Sequence, residues 1–465
     1  MVWTRNPGSF RDPSGFVYLR GGVLYRQVNL SFADAYDRLI DSGLYAELSG
    51  EGLLVEHDEV GPELAASPPV HRVLRPRQIG FISYPYEWCF GQLKAAALLT
   101  LQVQKRALAR GLVLRDASAF NVQFDGGRPV FIDTLSFGPY VEGEPWVAYR
   151  QFCEHFLAPL VLVSRVHASL GQLARIHVDG VPLELASRLL PRSTRWRPGL
   201  LTHVHLHARS IVRRSGDALD AVPATRRGRM SRTALTGLVD SLERTVRGLS
   251  WTPPESTWSD YYDRTNYTED AQDHKKQLVA RFLDLAARGA TPRMIWDVGA
   301  NTGLYSDIAA RTGALVVSLD MDHAAVERHF AECVARGETL ILPLVQDLSN
   351  PSGGLGWSST ERRSLAERGP ADVALALALV HHLAIGANVP LADVAAFFHH
   401  LCRKLIIEFV PKDDSQVRLM LAVREDVFPG YTRRGFEDAF RTHFTIDEAA
   451  DIVESRRTLY LMARR

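Results

Sequence analysis

Hydrophobic and polar positions change rhythm along this chain, and each change of period marks an element. Residues 14–30 alternate apolar and polar on both sides of Gly21-Gly22, which predicts a hairpin of two half-buried strands. The period becomes helical over 33–42, and a mixed stretch broken by Ser67-Pro68-Pro69 follows. Residues 79–86 predict a strand running into a linker, and 92–110, apolar at Leu93, Ala97, Leu101 and Leu108, predict a helix. A short hairpin is expected at Asp125-Gly126-Gly127, and 147–198 is helical and apolar. Beyond a basic stretch and a helix over 233–247, the Pro253-Pro254 break opens a different regime. Strand-like runs at 294–296, 314–319, 339–345, 372–380 and 404–410 then alternate with helical stretches, among them 273–287 and 304–311. The run 372–380 is almost wholly apolar, as a strand covered on both faces should be. An antiparallel pair, 444–448 and 457–462, closes the chain. Such alternation predicts an α/β domain with a Rossmann-like parallel sheet, whereas the first half reads as α+β.

At 465 residues the chain exceeds a single hydrophobic core. The pattern divides it into a first domain over 1–212, a basic linker and helix over 213–250, and a second domain over 251–465. A composition of 46% hydrophobic and 23% charged residues is ordinary for a globular protein. A formal net charge of +1 gives no global field to recruit nucleic acid or an anionic membrane, so neither is an expected partner. The linker carries six arginines between Arg213 and Arg232 and reads as solvated, although its charge keeps a nucleic-acid role open. The four cysteines (Cys89, Cys153, Cys333 and Cys402) are scattered, with no C-x-x-C pair, which points to a reducing compartment and away from zinc or disulfides. The N-terminus lacks the apolar core of a signal peptide, and the apolar run 156–163 is too short to span a bilayer, so a cytoplasmic location is expected. His203, His205 and His207 alternate so that on a strand they would share a face, but no cysteine or carboxylate cluster accompanies them as metal ligands. An ordinary solvated or helical segment, and no metal, is expected there.

Candidate chemistry concentrates after the first strand of the second half. Asp297-Val-Gly-Ala-Asn-Thr-Gly303 joins a strand to a helix through a turn where Gly299 and Gly303 let the backbone approach a ligand. The free N–H groups of the new helix face that turn. The spacing is not G-x-G-x-x-G, so a dinucleotide is not the first expectation. Asp320, at the tip of the second strand, stands where a carboxylate holds a ribose diol. Gln346-Asp347 ends the third strand in a polar pair placed to reach an adenine edge. This turn, Asp320, Asp347 and the run from Ala371 to His381-His382-Leu383 resemble, in order and spacing, the successive motifs of class I S-adenosylmethionine-dependent methyltransferases. The resemblance covers residues 258–465 and is closest to nodulation-protein-related methyltransferases. It implies S-adenosylmethionine as cofactor, a turn shaped by Asp297, Gly299, Asn301 and Gly303, and ribose and adenine contacts by Asp320 and Asp347. Tyr267, in the aromatic segment 258–267, would belong to a lid over the cofactor, or to plain core contacts. His381 or His382 would orient or deprotonate the acceptor, and Glu408 is the second candidate base. The rival reading is a Rossmann-like domain for NAD or a nucleotide.

In the first half, Asp116 and Asn121 have the D-x-x-x-x-N offset of the protein-kinase catalytic loop, and Asp133 stands where a magnesium-binding Asp would be. With the hairpin and helix before them, residues 14–210 are similar to the kinase or aminoglycoside-phosphotransferase fold. The plainer reading is that Asp116 and Asn121 cap turns. The first lysine in the chain is Lys94, so no lysine can serve the strand that normally pairs the nucleotide phosphates. Arg20 or Arg26 would have to replace it, and guanidinium and ammonium are not interchangeable. The expectation is a degenerate kinase-like substrate or regulatory domain ahead of a methyltransferase. The enzyme would act on oxygen or nitrogen of a small-molecule or carrier-borne acceptor, such as a sugar or a natural-product intermediate. A bifunctional kinase–methyltransferase and a non-catalytic S-adenosylmethionine-binding protein are the alternatives. No N-P-P-Y-like tetrapeptide follows the fourth strand, and neither the acceptor nor the oligomeric state is set by the sequence.

Overall fold

A computed structural model describes residues 2–210, 229–254 and 268–465. The chain forms two compact units, Met1–Thr252 together with Gly354–Arg362, and Pro253–Gly353 together with Arg363–Arg465. Most of the expected basic linker and all of the expected lid segment, Tyr267 included, lie outside the described residues.

The first unit begins with strands β1 (Trp3–Arg5), β2 (Gly15–Arg20), β3 (Val23–Asn29), β4 (His57–Val60) and β5 (Val70–Pro76). They form an antiparallel sheet in the order β1-β2-β3-β5-β4. Gly21 and Gly22, both at positive φ, make the β2–β3 turn. Helix Ala33–Asp41 packs Tyr36 into a cluster with Val28 and Leu74. Two readings of this region change. Residues 70–76, within the mixed stretch, are a strand, whereas 79–86 are not. The backbone of Ser83 is satisfied by a side chain instead of a ladder: its N–H donates to Gln123 Oε1 at 2.9 Å and its carbonyl accepts from Gln123 Nε2 at 3.0 Å.

Helix Phe90–Ala109 leads to β6 (Leu112–Leu114), the hairpin β7 (Val122–Asp125) and β8 (Arg128–Phe131), and β9 (Phe137–Pro139). A helical region follows. An antiparallel sheet with a helix after its third strand, then a long helix, a loop carrying Asp116 and Asn121, a hairpin and Asp133, is the order of a kinase-like α+β fold. Helix Arg232–Arg247 also belongs to this unit. It is capped by Ser231 and buries Leu235, Val239, Leu242 and Val246 on one face. Lys94 Nζ donates to the carbonyls of Arg247 and Leu249 at the end of that helix, at 3.0 and 2.7 Å.

The three alternating histidines lie in helix, not on a strand, and are not solvated as a group. His203 bonds Tyr149 Oη and Ser241 Oγ at 2.8 and 2.9 Å. His205 bonds Ser187 Oγ and Thr194 Oγ1 at 2.8 and 2.9 Å, and His207 stacks on Tyr149. Both His203 and His205 are buried core hydrogen-bonders. The stretch Gly354–Arg362, which ends in the charged residues Glu361 and Arg362, is built into the first unit. Glu361 is buried against Arg11, and the Arg362 guanidinium lies 4.1 Å from the centre of the Phe120 ring.

The second unit contains β10 (Met294–Val298), β11 (Leu315–Asp320), β12 (Ile341–Val345), β13 (Ala371–Ala376), β14 (Cys402–Phe409), β15 (Phe444–Asp451) and β16 (Thr458–Arg464). Their order is β12-β11-β10-β13-β14-β16-β15, and β16 alone runs antiparallel to the rest. This is the seven-stranded Rossmann-like sheet of the class I methyltransferase fold, with its reversed last strand inserted beside the fifth. Ile295, Val316, Val373, Leu375 and Ile406 fill one face against helices Glu269–Ala287 and Leu304–Ala310. Strand order reverses between β10 and β13, and in open α/β sheets ligands bind beyond the carboxyl ends of the strands at such a switch point. Among the described residues, no helix is long and apolar enough to cross a membrane.

Candidate active site

The turn after β10 is built on three left-handed residues, Gly299 (φ +79°), Asn301 (φ +52°) and Gly303 (φ +89°). The chain folds this way because strand and helix are pinned on both sides. Gly299 N and Ala300 N donate to Leu319 O of β11 at 2.8 and 3.1 Å, and Asn301 N donates to Asp320 Oδ2 at 2.7 Å. Asp320 Oδ1 accepts from Asp322 N at 2.8 Å. Gly303 is irreplaceable on space as well as conformation: a Cβ there would sit 2.1 Å from His329 Nε2. His329, on helix His323–Arg336, is fully buried, bonds Ser318 Oγ through Nδ1 at 3.1 Å, and has no partner on Nε2 among the described residues. Burial lowers its pKa to about 4, so a neutral ring supports the turn.

Asp297, at the floor of the turn, accepts from Ser306 Oγ at 2.7 Å. Burial pushes its pKa up to about 7 against the pull of that hydroxyl, and burial likewise pushes Asp320 up to about 6 against the amides of Asp322 and Asn301. Carboxylates shifted in this way make the turn a functional-site candidate. Asp347 follows β12 and accepts on Oδ1 from Ser349 N and Ser349 Oγ at 2.8 and 2.7 Å, while the buried Gln346 accepts from Ser352 Oγ at 2.9 Å.

The histidines sit differently from expectation. Strand β13 ends at Ala376 rather than at Val380, because Ala378 turns left-handed (φ +49°) and gives its N–H to Glu408 Oε2 at 2.8 Å. His381 and His382 therefore begin a helical turn beyond the strand's carboxyl end, with ring centres 4.2 Å apart. His381 is fully buried, and its Nδ1 has no partner among the described residues. Burial, then His382 and Arg457, hold its pKa well below the usual value; burial and Arg457 lower His382 to about 4.

Glu408 lies on β14 with no exposed surface. Lys275 Nζ donates to Oε2 at 2.6 Å, Arg457 NH1 lies 3.5 Å from Oε1, and Arg457 in turn grips Asp414 through Nε and NH2 at 2.7 and 3.1 Å. Lys275 also lies 5.0 Å from the centre of the Tyr305 ring, on the helix that follows the turn. A buried chain of charges thus runs from behind the turn to the far strands. Beyond Arg457, Asp413, Asp414, Glu454 and Arg456 help line a hollow of about 450 Å³ at the loop after β14 and the β15–β16 turn. Sequence reading missed Lys275 and Arg457. A lysine on an amphipathic helix and an arginine opening a strand look solvated until residues 133 and 49 positions away are brought against them.

The structure thus assembles Asp297, Gly299, Asn301, Gly303 and Asp320 around one turn, with Asp347 after β12 and His381, His382 and Glu408 at the ends of β13 and β14. Among the described residues, no group of three or more His, Cys, Asp or Glu could hold a metal ion. No known family model matches the chain. Among solved structures, the S-adenosylhomocysteine-bound magnesium protoporphyrin IX methyltransferase ChlM of Synechocystis PCC 6803 is 21% identical over 45% of this chain and 92% of its own, with a TM-score of 0.32. The bifunctional kinase-methyltransferase WbdD is 15% identical over 47% of this chain and 45% of its own, with a TM-score of 0.30. The nodulation protein NoeA of Rhizobium meliloti (strain 1021) is 37% identical over 464 residues, 99% of this chain and 96% of the relative. With alignment running nearly end to end at that identity, the chain belongs to the NoeA nodulation-protein family.

Proposed function

We propose that the second unit is an S-adenosylmethionine-dependent methyltransferase acting on oxygen or nitrogen of a small-molecule or carrier-borne acceptor. The observation that carries the reading is the Asp320 carboxylate at the carboxyl end of β11, fixed against Asn301 N in a turn with three left-handed residues, beside the point where strand order reverses. When bound, the cofactor supplies an activated methyl group on a sulfonium, so the protein's task is alignment of the acceptor and removal of its proton. Asp320 would take the ribose hydroxyls, and Gln346 and Asp347 the adenine edge. His382, half-buried and neutral at physiological pH, is the better placed proton acceptor, with the buried His381 ring behind it. Glu408 already has both oxygens committed to Lys275, Ala378 and Arg457, which suits positioning of the histidine turn rather than proton abstraction. In the hollow beyond Arg457, Asp413 and Asp414 are paired with Arg456 and Arg457 and Glu454 accepts from Thr268 Oγ1, a near-balanced lining that suits a neutral acceptor better than a strongly charged one.

Calorimetric titration tests the cofactor assignment. Wild type should bind S-adenosylmethionine and not NAD. Asp320→Asn keeps a carbonyl for Asn301 N but loses the charged acceptor, and should weaken binding by about 1.5–3 kcal/mol, about 10- to 150-fold. Tighter binding of NAD, or an unchanged Asp320→Asn, would overturn the reading.

A further inference from the structure

A kinase-like fold implies a divalent cation held by the Asp after β8, bridging nucleotide phosphates. The residues of the first unit do not fit that cation. Asp133 is already committed on both oxygens. The Arg26 guanidinium, reaching from β3, pairs with Oδ1, which also accepts Leu135 N at 3.2 Å, while Oδ2 accepts from Ser136 Oγ. Asn121 Nδ2, the other expected metal-facing group, donates to the same Ser136 Oγ at 3.2 Å. Asp116 turns inward to cap Ser118 N at 2.8 Å, and burial raises its pKa. The side chains of Arg26 and Asp133 are only 14% and 16% exposed, so this is an interior pair rather than a surface contact. Of the two arginines that could stand in for the missing lysine, Arg20 is turned away, donating to the carbonyls of Glu63 and Ala65 at 2.7 and 3.4 Å.

We propose that Arg26 is a permanent internal cation that takes the metal's place at Asp133, so that the first unit has no divalent-dependent nucleotide site and transfers no phosphoryl group. A magnesium ion requires near-octahedral oxygen ligation at about 2.0–2.1 Å, and here it would have to displace a guanidinium that never loses its charge. The guanidinium also does something a diffusible ion does less permanently: it ties β3 of the sheet to the loop after β8 and, through Ser136, to Asn121. The D-x-x-x-x-N geometry is retained as a clamp within the unit. This inference concerns the first unit alone and stands or falls independently of the methyltransferase reading.

The test uses the full-length chain, with Mn²⁺ uptake followed by loss of its free paramagnetic signal and melting followed with and without Mg²⁺ and ATP. Wild type should take up no Mn²⁺, show no Mg²⁺-dependent rise in melting temperature with ATP, and release no phosphate from ATP. Arg26→Ala should melt lower without metal and gain Mn²⁺ uptake, and adding Asp133→Asn should abolish the gain. Arg26→Gln, which keeps a hydrogen-bond donor, gives the same comparison should the alanine variant not fold. Mn²⁺ uptake or ATP turnover by wild type that Asp133→Asn removes would overturn the proposal, as would folded Arg26 variants that gain no response to divalent cations.

Discussion

Replacing Gly303 by alanine tests the cofactor turn at its tightest point. Two costs follow from the structure. The residue has φ +89°, where a Cβ costs about 1–2 kcal/mol. The new methyl would also lie 2.1 Å from His329 Nε2, in a side chain with no room to retreat, and overpacking of this kind costs about 1–3 kcal/mol. Together they come to about 2–5 kcal/mol, a large share of a domain's usual stability of about 5–15 kcal/mol. Because half of the cost is a collision with one named ring, a double-mutant cycle separates it. His329→Ala removes the collision but not the backbone strain, so Gly303→Ala/His329→Ala should be less destabilised than the sum of the single variants by about 1–3 kcal/mol. Urea unfolding of the four proteins measures this directly. Gly303→Ala within about 0.5 kcal/mol of wild type, or a cycle additive to about 0.5 kcal/mol, would refute the geometry.

Glu408→Gln should leave Lys275 as a buried cation facing a neutral amide, while Arg457 keeps Asp414, and cost about 3–5 kcal/mol in urea unfolding; a loss below about 1 kcal/mol would mean that the network is solvated. Asp297 gives a pH dependence of defined sign. Its folded pKa of about 7 lies above its ordinary value of 3.8, so between those values the native state binds more protons than the unfolded chain, and this group's contribution to stability falls as pH rises. Asp297→Asn should therefore gain stability relative to wild type between pH 5 and pH 8, by at most about 2.7 kcal/mol, two pH units at about 1.36 kcal/mol each. Denaturant unfolding at both pH values checks the sign, and a relative loss at pH 8 would contradict it.

Much of the second unit was legible because strands buried on both faces announce themselves as unbroken apolar runs. The turn was legible because only glycine suits Gly299 and Gly303, and the antiparallel pair at the end distinguished the sheet from a dehydrogenase's. Several particulars were not legible, each because a distant side chain supplied what local pattern could not. Strand β13 stops early because Glu408 captures Ala378 N, a contact across 30 residues. Residues 79–86 look like a strand, yet Gln123 takes over the ladder's hydrogen bonds at Ser83. Glu361, in a run of charges, is buried because Arg11 reaches it from 350 residues away. The sequence narrowed the substitute for the missing lysine to Arg20 or Arg26, and only tertiary packing chose between them. At the candidate site, the groups on the turn could be named from spacing, but the buried Lys275–Glu408–Arg457 chain could not, since its members come from three separate elements.

Hydrogen exchange of the full chain, with and without S-adenosylhomocysteine, tests the central claim most directly. The account predicts added protection of backbone amides at 299–303 and 320–322, and around Gln346 and Asp347, with the β15–β16 turn unchanged until an acceptor is present. No change at 299–303, or protection confined to the first unit, would contradict it.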